Sequence, residues 1–487
     1  MSAGPSWRSR VGLIAGAALF AAAAAFPAGG AEAEPARRMA GVALLMAAWW
    51  ISEAIPLGAT ALVPVFALPV LGILPARQVC ARYGDPLILL FLGGFLMARA
   101  LARWRIDRRL ALGIVALMGE RPSRILFGLM AATALLSMWV SNSATAAMMM
   151  PVGLALVGHA ASLVSARSPE ADVSPGRFRF GTAVMLGIAY AASIGGVGTL
   201  IGSPPNLVFA GIVEEQTGVP VTFVRWMAVG LPLMLVMLPA AWLWLVRGAF
   251  PPELDRLPGG RRIVREQLAA LPPMGAAGRR TIAVILAAAL AWVTRPLWEE
   301  ALVGAGQLHD GAIAAAAAVA LFLLPDGQGG RLLDRRVFGE LPWEVLLLFG
   351  GGLALAEGFK ASGLDQRIGG TAVALAGIPL PLFVVLVGAV VMLLTEFTSN
   401  TATTAMVLPL LLAASGPLGT EPVRLMLPAA LAASMAFMMP AATPPNAIVF
   451  GTGYVTIPQM VRAGVVTNTI ALAVIALLTE SLSPVLF

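Results

Sequence analysis

Long apolar segments separated by short polar stretches run along the chain from about residue 11 to residue 482. A membrane-spanning helix needs about 20 apolar residues, so this pattern predicts roughly 10 to 14 passes through a bilayer. Several of the later segments are too short to span alone, or contain internal Gly and Pro. Backbone broken at membrane depth is tolerated only where protein covers it or where it lines a wet cavity. These breaks are therefore candidate functional elements.

Arginine-rich stretches interrupt this pattern, and the longest polar one covers about residues 247–280. Loops dense in Lys and Arg stay on the cytoplasmic side of a membrane, so this stretch is predicted to be cytoplasmic. The first apolar segment, 11–26, follows Arg8 and Arg10 and precedes small residues, a pattern that a cleaved leader also shows. A first spanning helix is favoured, because another apolar segment follows immediately.

The composition agrees with a membrane protein and excludes a soluble one. Hydrophobic residues make up 59% of the chain and charged residues 12%, with a mean hydropathy of +0.87, whereas soluble domains carry about 25% charged residues. The formal net charge of +7 indicates basic cytoplasmic loops rather than nucleic-acid binding. The lone Cys80 and two histidines exclude an intramolecular disulfide, a thiolate cluster and a histidine-built metal centre.

The chain contains an internal repeat. Ser-Asn-Ser at 141–143 and Ser-Asn-Thr at 399–401 lie 258 residues apart, and each is followed by Ala-Met and a proline. Farther along, Gly-Ser-Pro-Pro-Asn at 202–206 matches Ala-Thr-Pro-Pro-Asn at 442–446. Similarity between apolar segments by chance would match Leu and Ala rather than these polar and proline-rich motifs, so the chain is predicted to consist of two homologous halves.

A third pair of segments supports the repeat: the glycine-rich stretches 90–94 and 348–352 share the same offset of 258 residues. Paired halves with broken apolar segments in matching places indicate a secondary transporter with its site at the repeat interface. Each motif alone also has a structural interpretation. Ser-Asn-Ser in an apolar helix often joins helices to one another, and Pro-Pro-Asn often marks a loop. Duplication in register favours the functional interpretation.

The motif residues offer uncharged donors and acceptors. Hydroxyl and amide N–H groups suit a carboxylate or a sulfate, and helices that begin after each break add backbone N–H groups. Amide and backbone carbonyl oxygens suit a hard cation such as Na⁺. Within 137–150, 195–206, 397–410 and 436–451 there is no Arg, Lys or His. A divalent anion there needs co-bound cations to balance its charge, which favours coupling to Na⁺.

Three acidic residues, Glu53, Glu357 and Glu396, are predicted either at functional positions or at the membrane interface. An intramembrane enzyme is disfavoured, since neither H-E-x-x-H nor G-x-S-x-G occurs in the sequence. An anion channel built on the same motifs would show flux that no second ion drives.

Over about residues 40–485 the chain resembles the divalent-anion/Na⁺ symporter family, which carries dicarboxylates, citrate or sulfate. The resemblance rests on Trp-Trp-Ile-Ser-Glu-Ala-Ile-Pro-Leu at 49–57, on the segment 342–352, which begins Pro-Trp-Glu-Val and ends in three glycines, and on the paired motifs. It implies an all-α polytopic membrane fold of two inverted repeats with broken helices and re-entrant hairpins. It also implies about 11 spanning helices and an elevator-type transport mechanism.

The resemblance further implies a homodimer in the cell (inner) membrane, with the hairpins near 84–106 and 342–364. The expected units are N-terminal scaffold helices at 1–83, a first transport-domain repeat at 84–213, scaffold helices with the cytoplasmic polar stretch at 214–341, a second transport-domain repeat at 342–455 and a C-terminal helix at 456–487.

By matching position, the resemblance implies two Na⁺ sites and one substrate site. The first Na⁺ site is expected at Ser137, Ser141, Asn142 and Gly202, and the second at Thr395, Ser399, Asn400 and Ala442. The substrate carboxylates are expected to contact Ser141, Asn142, Ser143, Ser203, Ser399, Asn400, Thr401, Thr443 and Pro444. Ser143 departs from the threonine usual in dicarboxylate members, so a hydroxyl remains and a methyl is lost. This leaves the size of the pocket open.

The predicted function is uptake of a divalent anion coupled to Na⁺, with a C4-dicarboxylate such as succinate, malate or fumarate as substrate. A dicarboxylate exchanger, or a citrate or sulfate carrier on the same scaffold, stays an alternative. The predicted partners are the anion, the lipid bilayer and a second copy of the chain, without nucleic acid and without an enzymatic activity.

Overall fold

The computed structural model describes residues 7–25, 30, 33–302, 304, 307–372 and 377–486. Within these ranges the regular structure is helical, and the one strand-like pairing is an isolated bridge between Pro325 and Arg331. The predicted all-α class is confirmed. The small residues at 28–33 that suggested a cleaved leader lie mostly outside the described ranges.

The first eleven helices follow the apolar segments up to the first Pro-Pro-Asn motif. They are α1 (Trp7–Ala25), α2 (Glu34–Ser52), α3 (Leu57–Thr60), α4 (Val63–Val70), α5 (Ala76–Ala81), α6 (Pro86–Arg103), α7 (Ile106–Ala116), α8 (Pro122–Ser137), α9 (Asn142–Arg167), α10 (Arg179–Gly196) and α11 (Pro204–Thr217). Proline opens several of them, because it fixes a helical φ where no N–H is needed. Asp85 caps α6 by accepting a hydrogen bond from the Leu87 N–H at 2.9 Å.

The second series of helices continues to the end of the described chain. They are α12 (Phe223–Leu243), α13 (Gly260–Ala269), α14 (Ala276–Leu302), α15 (Asp310–Leu323), α16 (Trp343–Ser362), α17 (Leu364–Ala372), α18 (Leu380–Thr395), α19 (Asn400–Ser415), α20 (Pro422–Ala433), α21 (Pro444–Phe450) and α22 (Ile457–Leu486). A π-helical turn, Trp244–Ala249, extends α12. Helix α16 ends at Ser362 and is capped by Gly363, whose φ of 71° suits glycine best.

Seven helical segments of the described chain are long and apolar enough to cross a membrane. They are Trp7–Ala25, Ala76–Arg103, Asn142–Arg167, Phe223–Ala249, Ala276–Leu302, Trp343–Ser362 and Ile457–Leu482. Six shorter apolar helices join them, among them α8, α18, α19 and α20. The chain is therefore a multi-pass membrane protein, and the figure of about 11 spans stays a prediction, since two short helices can share one crossing.

The expected position of the hairpins was wrong. A re-entrant hairpin needs a reversal of the backbone, but 86–103 and 343–362 are single uninterrupted helices of 18 and 20 residues. Their glycines serve packing instead. A Cβ on Gly93 would lie 2.6 Å from Cβ of Ala314, and a Cβ on Gly351 would lie 2.6 Å from the carbonyl oxygen of Ala61. The glycine-rich stretches therefore let α6 and α16 approach their neighbours closely.

The internal repeat appears in the structure as two runs of four helices in the same order. Helices α8 and α9 are separated by a four-residue break, and α10 and α11 by a loop, 197–203. Helices α18 and α19 have a break of the same length, and α20 and α21 are separated by the loop 434–443. The breaks coincide with the duplicated motifs, so the repeated sequence corresponds to repeated structure.

The two central helices of these runs are apolar on every side. Every residue of α10 from Phe180 to Gly196 is buried, and so is every residue of α20 from Leu425 to Ala433. A helix that is apolar all round belongs in an interior. The runs also interlock, because α21 packs on α9 and α10 while α11 packs on α19 and α20. The broken helices thus form the centre of the described molecule.

Candidate functional site

The first half-site lies where α8 ends and α9 begins. Ser137, the last residue of α8, is fully buried, and its Oγ lies 2.7 Å from Asn142 Oδ1 and 2.7 Å from the carbonyl oxygen of Ala192. Ser141 caps α9 with its Oγ 3.4 Å from the Ala144 N–H. Because Ala192 lies on α10, the three oxygens join the first break to the buried central helix.

The second half-site repeats this arrangement at the break between α18 and α19. Thr395 is fully buried, and its Oγ1 lies 2.5 Å from Asn400 Oδ1 and 3.0 Å from the carbonyl oxygen of Ala433 on α20. The residue types differ by one methyl group, while the three oxygen atoms and their sources are the same. The duplication predicted from the sequence therefore extends to hydrogen-bond geometry.

Each half-site holds more acceptors than protons. A hydroxyl carries one hydrogen, yet Ser137 Oγ and Thr395 Oγ1 each lie within hydrogen-bond distance of two oxygens. Three converging oxygens with one proton form an electron-rich cluster that suits a hard cation. If the asparagine amide turned over, its Nδ2 would donate to the hydroxyl, and the same residues would then be satisfied without a cation.

Two buried asparagines hold the loops beside these clusters. Asn206 Nδ2 donates to the carbonyl oxygens of Gly196 at 2.9 Å and Thr199 at 2.8 Å. Asn446 Nδ2 donates to the matching carbonyl oxygens of Ala436 at 3.1 Å and Met439 at 3.0 Å. The Pro-Pro-Asn asparagines thus bond the preceding chain and fix the loops 197–203 and 434–443. Their Oδ1 atoms are buried and accept no hydrogen bond in the described structure.

Burial divides the predicted site residues into two groups. Ser137, Thr395, Gly202 and Ala442, which were predicted for Na⁺ alone, are all buried, as are Ser203 and Thr443. The residues of both Ser-Asn motifs, 141–143 and 399–401, are partly or largely accessible, and Pro444 is exposed. Each half-site therefore has a buried oxygen cluster behind an accessible polar rim.

In the first half-site the backbone at Gly196 and Gly202 packs too closely against its neighbours to leave room for a side chain. A Cβ on Gly196 would lie 2.5 Å from Asn142 Oδ1, and a Cβ on Gly202 would lie 2.5 Å from the carbonyl oxygen of Gly196. In the second half-site Ala442 stands at the position of Gly202, so that loop has room for a methyl group. The two half-sites are similar but not identical.

The two half-sites are connected through the central helices rather than through their motifs. Tyr190 on α10 donates from its Oη to the carbonyl oxygen of Phe437 in the second loop at 3.2 Å, and the two rings pack with centroids 4.8 Å apart. Within the described ranges no hydrogen bond joins 141–143 to 399–401. The structure thus brings Ser137 to Asn142 and Thr395 to Asn400, and does not join the two Ser-Asn motifs to each other by hydrogen bonds within the described ranges.

Sequence reasoning missed several contributors. Glu396, left between a functional and an interfacial position, is fully buried and binds the loop of the second half-site. Arg8 places its Nη2 2.8 Å from the carbonyl oxygen of Phe397, so a cation touches the second break from a helix 389 residues earlier. The duplicated Ala-Ala-Ser at 191–193 and 432–434 was a usable signal, because its second alanine supplies the carbonyl oxygen of each cluster.

Comparison with known proteins identifies the family. The sequence model of the family described as "Sodium:sulfate symporter transmembrane region" matches residues 8–487 of this chain. The chain belongs to this symporter family. A relative from Staphylococcus saprophyticus, called the sodium-dependent dicarboxylate transporter SdcS, is 41% identical over 447 residues, which cover 91% of this chain and 85% of the relative. The SdcS of Staphylococcus aureus strain USA300 is 40% identical over the same shares. A member of this symporter family is a transporter and not an enzyme.

Two solved transporters share the fold of this symporter. The YdaH transporter of Alcanivorax borkumensis superimposes with a TM-score of 0.55 at 14% sequence identity, covering 92% of this chain and 97% of YdaH. MtrF of Neisseria gonorrhoeae, described within a class of antimetabolite efflux pumps, gives a TM-score of 0.53 at 11% identity, covering 83% and 82%. At these identities the likeness concerns the fold alone.

Proposed function

We propose that this chain couples Na⁺ to the uptake of a C4-dicarboxylate such as succinate, malate or fumarate. The observation that carries the proposal is the pair of half-sites, each with three converging oxygens and one hydroxyl proton. Oxygen-only donor sets suit Na⁺ rather than a transition metal. The named function of the relatives, sodium-dependent dicarboxylate transport, supports the same choice of ion and anion.

The charge balance supports coupling. The four segments that form the half-sites contain no Arg, Lys or His, and an uncompensated divalent anion at membrane depth is costly. One Na⁺ ion in each half-site would offset much of the charge of the two substrate carboxylates. Because the clusters lie behind the accessible rims, the cations bind first and set the orientation of the Ser-Asn motifs for the anion.

We assign the Na⁺ ligands and the anion contacts to the residues predicted from the sequence. The Na⁺ ligands are Ser137, Ser141, Asn142 and Gly202 in one half-site and Thr395, Ser399, Asn400 and Ala442 in the other. The anion contacts are Ser141, Asn142, Ser143, Ser203, Ser399, Asn400, Thr401, Thr443 and Pro444. The burial of the residues assigned to Na⁺ alone and the accessibility of the two Ser-Asn motifs support this division for those residues, whereas Ser203 and Thr443 are buried and keep their anion role from the sequence prediction.

We also propose a homodimer in the inner membrane that works by an elevator motion, in which 84–213 and 342–455 move against 1–83, 214–341 and 456–487. The interlocking of α8–α11 with α18–α21 supports one moving unit, because such helices can move only together. Within that unit, the helix–break–helix segments 122–167 and 380–415 replace the two uninterrupted helices as candidates for the re-entrant elements.

Uptake of radiolabelled succinate into proteoliposomes tests the function. An inward Na⁺ gradient should drive accumulation that choline does not support, and unlabelled malate should compete. Accumulation that needs succinate inside the vesicles and no Na⁺ gradient would indicate an exchanger instead. Competition by citrate or sulfate at lower concentrations than malate would assign the substrate to those alternatives. Equal uptake with and without any ion gradient would contradict coupling.

The unequal loops predict unequal tolerance of a methyl group. Gly202→Ala forces Cβ against the Gly196 carbonyl oxygen, which displaces the loop at a cost of about 1–3 kcal/mol, so the Na⁺ concentration for half-maximal uptake should rise about tenfold. Ala442→Gly, the reciprocal change in the second half-site, should raise it by less than about threefold. Na⁺ titration of succinate uptake measures both. Equal effects of the two variants would contradict the geometry.

Ser143 predicts the size selectivity of the anion pocket. Ser143→Thr adds a methyl group beside the rim and should weaken competition by bulky citrate relative to succinate by about tenfold, since one methylene group in a pocket is worth about 1–3 kcal/mol. Thr401→Ser at the matching position removes a methyl group and should shift the citrate-to-succinate ratio the other way. Competition curves in both variants measure this, and two unchanged ratios would show that neither position limits the pocket.

A further inference from the structure

Glu396 is the buried acid of the second half-site. It follows Thr395 directly and is fully buried at the end of α18. Its Oε1 accepts from the Phe437 N–H at 2.8 Å and the Met438 N–H at 3.0 Å, and its Oε2 accepts from the Met438 N–H at 3.0 Å and the Met439 N–H at 2.9 Å. Three successive backbone N–H groups of one loop thus converge on one carboxylate.

A further donor reaches the same carboxylate from another helix. Asn468 on α22 donates from Nδ2 to Glu396 Oε1 at 2.8 Å. All partners of Glu396 are therefore N–H donors. An ionised carboxylate only accepts hydrogen bonds, whereas a protonated one would direct its own hydrogen against these donors. The donor set fits the ionised form.

The negative charge of Glu396 has no cationic partner in the described part of the chain. No ion pair within 4.0 Å involves this residue, and Arg8 nearby binds the carbonyl oxygen of Phe397 instead. A buried charge that meets only neutral groups remains costly, even when it is hydrogen-bonded. A cation in the adjacent cluster of Thr395 and Asn400 would compensate for it.

The first half-site lacks this charge. Met138 occupies the position that corresponds to Glu396, and its side chain cannot hold the loop in this way. There the contact is reversed, because the Thr199 hydroxyl donates to the carbonyl oxygen of Met138. The repeat thus contains one neutral half-site and one half-site with a formal negative charge.

We propose that Glu396 makes the second half-site the tighter Na⁺ site and couples its occupancy to the loop 434–443. This inference rests on the proposed Na⁺ coupling and adds the order in which the two half-sites fill. Glu396 acts as a positioning residue through its loop contacts and as a source of charge for the cation held by its neighbours. The second half-site fills at low Na⁺ concentration, and the first completes the anion site at higher concentration.

Two variants separate charge from shape. Glu396→Gln keeps the size and removes the charge, whereas Glu396→Asp keeps the charge and shortens the reach. In the purified full-length protein without anion, the Na⁺ concentration at the midpoint of thermal stabilisation should rise at least tenfold in Glu396→Gln, and less in Glu396→Asp. Met138→Gln, the matched control, should stay within threefold of wild type. A Glu396→Gln protein that responds to Na⁺ like wild type, or better than Glu396→Asp, overturns the inference.

The wild-type protein provides a test that needs no variant. Hydrogen–deuterium exchange during a Na⁺ titration, with choline holding ionic strength constant, should show the loop 434–443 becoming protected at lower Na⁺ than the loop 197–203. Protection of both loops at the same concentration, or in the reverse order, overturns the inference and leaves Na⁺ coupling intact. Absence of any Na⁺ response in either loop would contradict the Na⁺ sites themselves, and this inference with them.

Discussion

Replacing Asn142 or Asn400 with alanine is expected to lower Na⁺-driven succinate uptake about 100-fold or more, which corresponds to about 3 kcal/mol. Each asparagine supplies one of the three oxygens in its cluster, at 2.7 Å from Ser137 Oγ or 2.5 Å from Thr395 Oγ1. Each also opens the helix that follows its break. Loss of the amide therefore removes a proposed cation ligand and a proposed anion contact together.

Uptake and Na⁺-dependent thermal stabilisation of the purified variants measure this effect, with the amount of protein in the membrane determined in parallel. Ser162→Ala is the matched control, because Ser162 is an exposed polar residue of the same helix α9 whose hydroxyl donates to the nearby His159 carbonyl oxygen. It should leave both readouts near wild type. If Asn142→Ala lost expression while the surviving protein kept its Na⁺ response, the motif would join helices rather than bind ions.

The internal repeat is the feature that the sequence predicted best. Both Ser-Asn motifs open a helix after a four-residue break, and both Pro-Pro-Asn motifs open a short helix after a loop. Proline and asparagine indicate the local backbone structure. Proline cannot continue a regular helix, and the asparagine side chain forms hydrogen bonds with nearby backbone groups. Ser137 and Thr395 were expected at the Na⁺ sites from the family resemblance, and the structure places each hydroxyl beside the asparagine five residues later.

The hairpins were misplaced because glycine permits two different structures. Consecutive glycines at 93–94 and 350–352 are consistent with a reversal of the chain, and equally with a helix face that a neighbour approaches closely. The structure shows the second arrangement: Ala314 is the close neighbour of Gly93, and Ala61 is the close neighbour of Gly351. These partners lie about 220 and 290 residues away along the chain, so no local pattern reveals them.

Contacts between residues far apart in the sequence also explain why the roles of Glu396 and Arg8 were not predicted. An acid next to a polar motif in an apolar helix does not disclose its hydrogen-bond donors, and here they come from 437–439 and from Asn468. Arg8 was assigned to the flank of the first apolar segment, yet it reaches Phe397 because the beginning of α1 lies beside the second break. Charge relations across the membrane interior depend on helix packing, which the sequence pattern specifies only in part.

The Pro-Pro-Asn asparagines carry the largest expected effect on stability. Asn206→Asp preserves the shape of the side chain and replaces the Nδ2 donor with an oxygen that faces the carbonyl oxygens of Gly196 and Thr199. An ionised aspartate would repel both, and a protonated one could satisfy only one. A buried, uncompensated charge costs about 3–5 kcal/mol, so the midpoint of thermal unfolding should fall by about 3–5 °C.

Asn446→Asp should produce a similar fall, since its Nδ2 binds Ala436 and Met439 in the same way. Gln328→Glu makes the same amide-to-acid change on an exposed loop and should leave the midpoint within about 2 °C. Uptake should fall with stability in both buried variants, because the loops they fix follow the helices that supply the Ala192 and Ala433 carbonyl oxygens of the clusters. A stable Asn206→Asp protein with a normal Na⁺ response would show that the loop 197–203 keeps its shape without this asparagine.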